Sequence, residues 1–116
     1  MLFRSVGHTN CGGAAACAKL AQEPPPSSPS SAEPESPLLR WLGPLTDIAR
    51  ALPPGADLTA LAEENVRAGV RNLAASAVVK GAWAAGRPVE VHGWLYELET
   101  GRLRDLGVSV GKDGAL

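Results

Sequence analysis

Between Glu23 and Pro37 the chain reads EPPPSSPSSAEPESP, with proline at positions 24, 25, 26, 29, 34 and 37. Proline at this density removes the backbone donors that helix and sheet require, and the Ser/Glu filler offers no apolar face to bury. The tract reads as an extended surface loop. Its PxxP spacings, at Pro26 and Pro29 and at Pro34 and Pro37, are also those of ligands for aromatic-lined grooves. Leu2, Phe3 and Val6 form a short apolar run that stops at Gly7, and the Ala-rich segment Gly12 to Ala21 has high helix propensity, so the opening reads strand, tight turn, helix.

After the tract, Leu38, Leu39, Trp41, Leu42, Leu45, Ile48, Ala49 and Leu52 recur at three- and four-residue steps. This predicts an amphipathic helix, interrupted at Gly43-Pro44 and closed by Pro53-Pro54-Gly55. A second helix starts at Asp57, a suitable N-cap, and carries Leu58, Leu61, Ala62, Val66, Val70, Leu73 and Ala77 on one stripe. Its outer face sets Glu63 and Glu64 at pairing distance from Arg67. Ser76 caps a further short helix through Trp83. From Val89 to Leu98 the period changes to two, and Glu99-Thr100-Gly101 is turn chemistry leading into a second alternating run through Val108, a β-hairpin. A strand, then helices, then strands implies an α/β layer whose first two strands are parallel.

Composition limits the partners. Among 116 residues, 11 Lys+Arg face 12 Asp+Glu for a net charge of -1, so the basic stripe expected of a nucleic-acid or membrane-surface binder is absent. No apolar run reaches the roughly 18 residues a membrane-spanning helix needs. Alanine is the commonest residue in the 45% hydrophobic content and aromatic residues are few, which predicts a thin core. The two cysteines, Cys11 and Cys17, fall on different helical faces and read as reduced thiols of an intracellular protein, cytoplasmic in preference to mitochondrial.

The reactive side chains gather in Gly7-His8-Thr9-Asn10-Cys11-Gly12-Gly13, beyond the carboxyl end of a strand and at the start of a helix, where α/β sheets place their ligands. Imidazole and thiolate both suit zinc, a helix start brings backbone donors near a thiolate, and the glycines allow close approach or positive φ. His-x-x-Cys alone equally fits a buried cysteine beside a solvated histidine, and a zinc site takes at least three protein ligands. Cys17 is expected to be a small buried hydrophobe. His92, with no carboxylate or cysteine at ligand spacing, is expected to be structural. Trp94 and Tyr96 are read as packing residues, and Gly93 as a point of close approach.

Val6-Gly7-His8-Thr9-Asn10-Cys11-Gly12-Gly13 resembles the second half of the zinc motif of β-class carbonic anhydrases, with a fungal character. The similarity continues in order through Trp41-Leu42-x-Pro44-Leu45, Glu64-Asn65-Val66, Val70-x-Asn72-Leu73, Val91-His92-Gly93-Trp94-Leu95-Tyr96 and Thr100-Gly101-x-Leu103. The resemblance implies an α/β fold: the later part of a mainly parallel sheet flanked by helices and ending in an antiparallel hairpin. It makes residues 1–116 a partial carbonic anhydrase domain that lacks the family's first strands, and so leaves apolar surface and strand edge exposed to aggregation. It implies zinc as cofactor with His8 and Cys11 as two of three protein ligands, carbon dioxide and bicarbonate as substrates, and a homo-oligomer. The family's third ligand, in a Cys-x-Asp-x-Arg segment, has no counterpart in this sequence. The alternative is a non-catalytic chain that acts by subunit association or through the Pro-rich loop.

Overall fold

The computed structural model describes residues 1–24 and 36–116; residues 25–35 of the Pro/Ser loop assigned to 23–37 lie outside the described residues. Two compact units are present, one formed by Met1–Thr9 with Ala62–Leu116 and the other by Asn10–Leu61.

The first unit is built on strands β1 (Leu2–His8), β2 (Glu90–Glu97), β3 (Arg102–Asp105), β4 (Val110–Gly111) and β5 (Gly114–Ala115). β1 runs parallel to β2, in a register from Leu2 opposite Glu90 to His8 opposite Tyr96. β3 and β4 both pair antiparallel with β2, and β5 pairs with β4. The expected α/β class, parallel at its start and antiparallel at its end, is what forms. Alternation sends Phe3, Ser5 and Gly7 of β1 and Val91, Gly93 and Leu95 of β2 to the face that meets helices α3 (Leu58–Ala75) and α4 (Ala77–Ala84). There Val70, Val79, Val89 and Val91 form a core with Phe3, Leu73, Trp83, Val108 and Val110 around it. The Trp83 indole N–H donates to the Val89 carbonyl at 2.8 Å, which satisfies its polar edge inside this cluster.

Helix and sheet meet closely because glycines stand at the contact. A Cβ at Gly7 would lie 2.8 Å from Val66 Cγ2, and one at Gly93 would lie 2.5 Å from Val108 Cγ2. The opposite sheet face carries Leu2, Arg4, Val6 and His8 beside Glu90, His92, Trp94 and Tyr96, and Leu2 and Val6 there are exposed. Among the described residues β1 has no strand partner other than β2.

The hairpin is shorter than its alternation predicts. Asp105 Oδ1 accepts from the Gly107 N–H at 2.8 Å and Gly107 takes φ +66°, so β3 ends at Asp105, before the run reaches Val108. It then returns to β2 as β4. The β4–β5 pair was not foreseen, because two-residue strands show no period.

The second unit holds α1 (Gly12–Gln22), α2 (Pro37–Ala51) and the first turn of α3. Ala14, Cys17, Leu42 and Leu61 are its core, with Leu45, Ile48, Leu52 and Leu58 against them. Ser36 caps α2 by accepting from Leu39 N–H at 3.2 Å, and Pro37 occupies the first turn, where its missing donor matters least. The interruption expected at Gly43-Pro44 does not occur. α2 runs through Pro44, because one lost hydrogen bond is offset by burial of Leu42 and Thr46 on either side. Trp41, placed on the apolar stripe by its spacing, is 76% exposed and takes no part in the core. The capping expectations hold at both later helices: Asp57 accepts from Ala60 N–H at 2.8 Å, and Ser76 accepts from Val79 N–H at 3.3 Å. Arg67 reaches Glu63 and Glu64 at 3.6 and 3.7 Å, as the pair spacing predicts.

Candidate metal centre

His8 is the last residue of β1, on the open face of the sheet. Its Nδ1 lies 2.8 Å from the Thr9 carbonyl oxygen. A carbonyl only accepts, so Nδ1 carries a proton in this contact, and in the neutral ring that leaves the Nε2 lone pair for a metal.

Thr9 is 7% exposed and fully engaged. Its N–H donates to the Tyr96 carbonyl at 3.0 Å, extending the β1–β2 ladder by one residue. Its hydroxyl donates to Glu99 Oε2 at 2.9 Å and accepts from Leu98 N–H at 3.0 Å, so the turn after β2 grips the end of β1. Spacing gave no sign of this residue, since its side-chain partners lie 89 and 90 positions away.

In the second unit Asn10 adopts φ 51°, the left-handed conformation that Asn tolerates better than most residues. The positive φ expected of a glycine in this turn therefore falls on Asn10. Gly12 meets open space, and of the three motif glycines only Gly7 stands at a close approach. Cys11 is the N-cap of α1, with its side chain in no capping hydrogen bond and its carbonyl taking Ala15 N–H at 2.9 Å. Its thiol is half-buried, 3.8 Å from where a Gly13 Cβ would stand. Both cysteines are free. Cys17 is fully buried among the apolar residues of its unit, as expected of a small hydrophobe.

Among the described residues no group of three or more His, Cys, Asp or Glu is placed to hold a metal ion. His8 belongs to the first unit and Cys11 to the second, so their pairing on one ion rests on the motif that joins them. The donor pair fits zinc in kind, one imidazole nitrogen and one thiol, and falls short of a complete tetrahedral set in number.

His92 differs from expectation. It has a carboxylate neighbour, because residues two apart on a strand share a face: Glu90 Oε2 lies 3.2 Å from its Nε2, and Ser109 Oγ lies 2.7 Å from its Nδ1. These contacts tie the β3–β4 connection to β2, which supports the structural role expected for it. Trp94 is half-buried beneath the Arg4 guanidinium, whose Cζ sits 4.8 Å from the ring centroid. Tyr96, read as a packing residue, is 37% exposed on the open face, its hydroxyl beside the Gly101 turn. An apolar cavity of about 480 Å³ lies at the opposite end of β1, lined by Met1, Phe3, Val79, Ala82 and Val89, and includes none of the motif.

Comparison with known proteins agrees with the family resemblance. The sequence profile of the carbonic anhydrase family matches residues 5–103. A β-carbonic anhydrase from Coccomyxa, solved in complex with acetazolamide, is 25% identical and superposes with a TM-score of 0.71 over 94% of this chain and 48% of its own. One of two tetrameric β-carbonic anhydrases from the filamentous ascomycete Sordaria macrospora is 26% identical, with a TM-score of 0.67 over 94% of this chain and 53% of its own. The chain thus spans about half the length of these solved structures. It belongs to the carbonic anhydrase family and has the fold of the β class.

Proposed function

We propose that this chain binds zinc through His8 Nε2 and Cys11 Sγ and serves the reversible hydration of carbon dioxide to bicarbonate. The observation that carries the reading is the His8 ring, held with Nδ1 on a carbonyl so that Nε2 is the donor, at the end of a strand inside the family match. When bound, zinc acidifies a water so that hydroxide is available at neutral pH, chemistry for which carbonic anhydrases are the reference case. The residues themselves supply one neutral and one anionic donor, and Thr9 keeps the imidazole in its ligating form. His92 is engaged by Glu90 and Ser109 and takes no part. A second reading, association with other subunits without catalysis, is favoured by the exposed Leu2 and Val6 on the open face and by the side of β1 that has no strand partner among the described residues.

Metal analysis and stopped-flow CO2 hydration on the full chain separate the two. The zinc reading expects retained zinc and a hydration rate above buffer, both lost in His8→Ala. Folded protein with far less than stoichiometric zinc and a rate equal to buffer would leave only association.

A further inference from the structure

The geometry points to Thr9 as the positioning residue of the metal site, acting with the turn after β2 as an outer brace for His8. This inference rests on the zinc reading above for its consequence, but the brace itself is a property of the metal-free chain. Thr9 is one of two buried polar residues among those described, and three hydrogen bonds hold it: N–H to Tyr96, hydroxyl to Glu99, and Leu98 N–H to hydroxyl. Its carbonyl is thereby fixed in the place where it accepts the His8 Nδ1 proton at 2.8 Å.

Two things follow from a fixed carbonyl. The imidazole is confined to the Nδ1–H tautomer, and its rotation is restricted, so Nε2 is presented in a constant direction. A histidine at the exposed end of an edge strand would otherwise sample several rotamers and both tautomers, and metal binding would have to select one. Outer partners of ligating histidines commonly decide affinity for this reason, by about 10–100-fold. The unusual element is the route. The ring bonds a backbone carbonyl next to it in sequence, and that carbonyl is held from the far end of the chain by Glu99 and Leu98. The brace couples the β2–β3 turn to the metal ligand.

The test uses Thr9→Val, which keeps shape and removes the hydroxyl, Thr9→Ser, which keeps the hydroxyl, and Glu99→Ala, at an exposed position where folding is not threatened. Long-range proton–nitrogen NMR correlations on the metal-free chain, at a pH where the ring is neutral, read the His8 tautomer directly. Competition with a chromophoric chelator reads zinc affinity. The wild type is expected to show Nδ1–H alone. Thr9→Val should show a mixture of tautomers and about 10–100-fold weaker zinc binding. Glu99→Ala should move both readouts the same way to a smaller degree, and Thr9→Ser should restore both. Wild-type tautomer and affinity in Thr9→Val and Glu99→Ala would overturn the brace. If His8→Ala leaves zinc affinity unchanged while Thr9→Val still mixes the tautomers, the brace stands and the ligand assignment of His8 falls.

Discussion

Cys11→Ser is expected to weaken zinc binding by about 100-fold or more, beyond the range that loss of an outer partner alone produces. A serine hydroxyl does not ionise at neutral pH, so the substitution removes an anionic sulfur donor and leaves a weak neutral one. The fold should be untouched. Cys11 stands before the first turn of α1, its sulfur caps no backbone group, and serine is itself a good N-cap. Loss of metal therefore cannot be ascribed to loss of the helix. The control is Cys17→Ala: that thiol is 0% exposed, between α1 and Leu42, so removing it should lower thermal stability while zinc affinity stays at the wild-type value. Chelator competition gives the affinities and circular dichroism confirms helix content. Equal zinc affinity in Cys11→Ser and wild type would exclude the thiol as a ligand, and with it the motif as a metal site.

What could be read from the sequence is what local physics decides. Helices α1, α3 and α4 announce themselves by propensity, stripe and cap, and β2 by its alternation from Val89 to Leu98. The candidate metal motif stands out in the sequence too, since His8 and Cys11 lie within four consecutive residues of a glycine-bounded turn. Features decided by distant contacts do not. Pro44 argued for a break in α2, but burial of Leu42 and Thr46 overrides one missing donor. Trp41 matched an apolar stripe by spacing and faces solvent, because three- and four-residue steps do not fix the width of the buried face. The early end of β3 depends on one Asp105 side chain and the left-handed Gly107. Nothing local marks Thr9, between His8 and Cys11, because its side-chain partners lie 89 and 90 positions away. His92 keeps the structural role expected of it, and the carboxylate beside it is Glu90, because on a strand position i−2 lies on the same face.

The largest effect on stability should come from Gly93→Val. A Cβ at this position would stand 2.5 Å from Val108 Cγ2 and 3.1 Å from both Val66 Cγ1 and Val70 Cγ2, and valine adds two methyl groups to that. None of the neighbours can yield cheaply. Val66 and Val70 are 1% and 3% exposed on α3, and Val108 follows the Gly107 turn, with the Leu106 N–H donating to the Gly93 carbonyl at 3.0 Å. Overpacking of a tight core typically costs about 1–3 kcal/mol and sometimes more, and a branched side chain at a backbone contact belongs at the upper end. Gly81→Ala supplies the contrast, since Gly81 lies within α4 with nothing within 4 Å of its Cβ direction, and alanine there should stabilise by about 0.5–1 kcal/mol. Urea denaturation of the metal-free chain checks both signs; a Gly93→Val midpoint at or above wild type would mean that α3 does not press on β2 as described. The consequence reaches the metal motif through one side chain. Val66 also bounds Gly7, at 2.8 Å from its Cβ position, so a shift of α3 forced at Gly93 is transmitted to the residue before His8. Gly93→Val should therefore weaken zinc binding as well, whereas Gly81→Ala should raise stability and leave the metal affinity where it is.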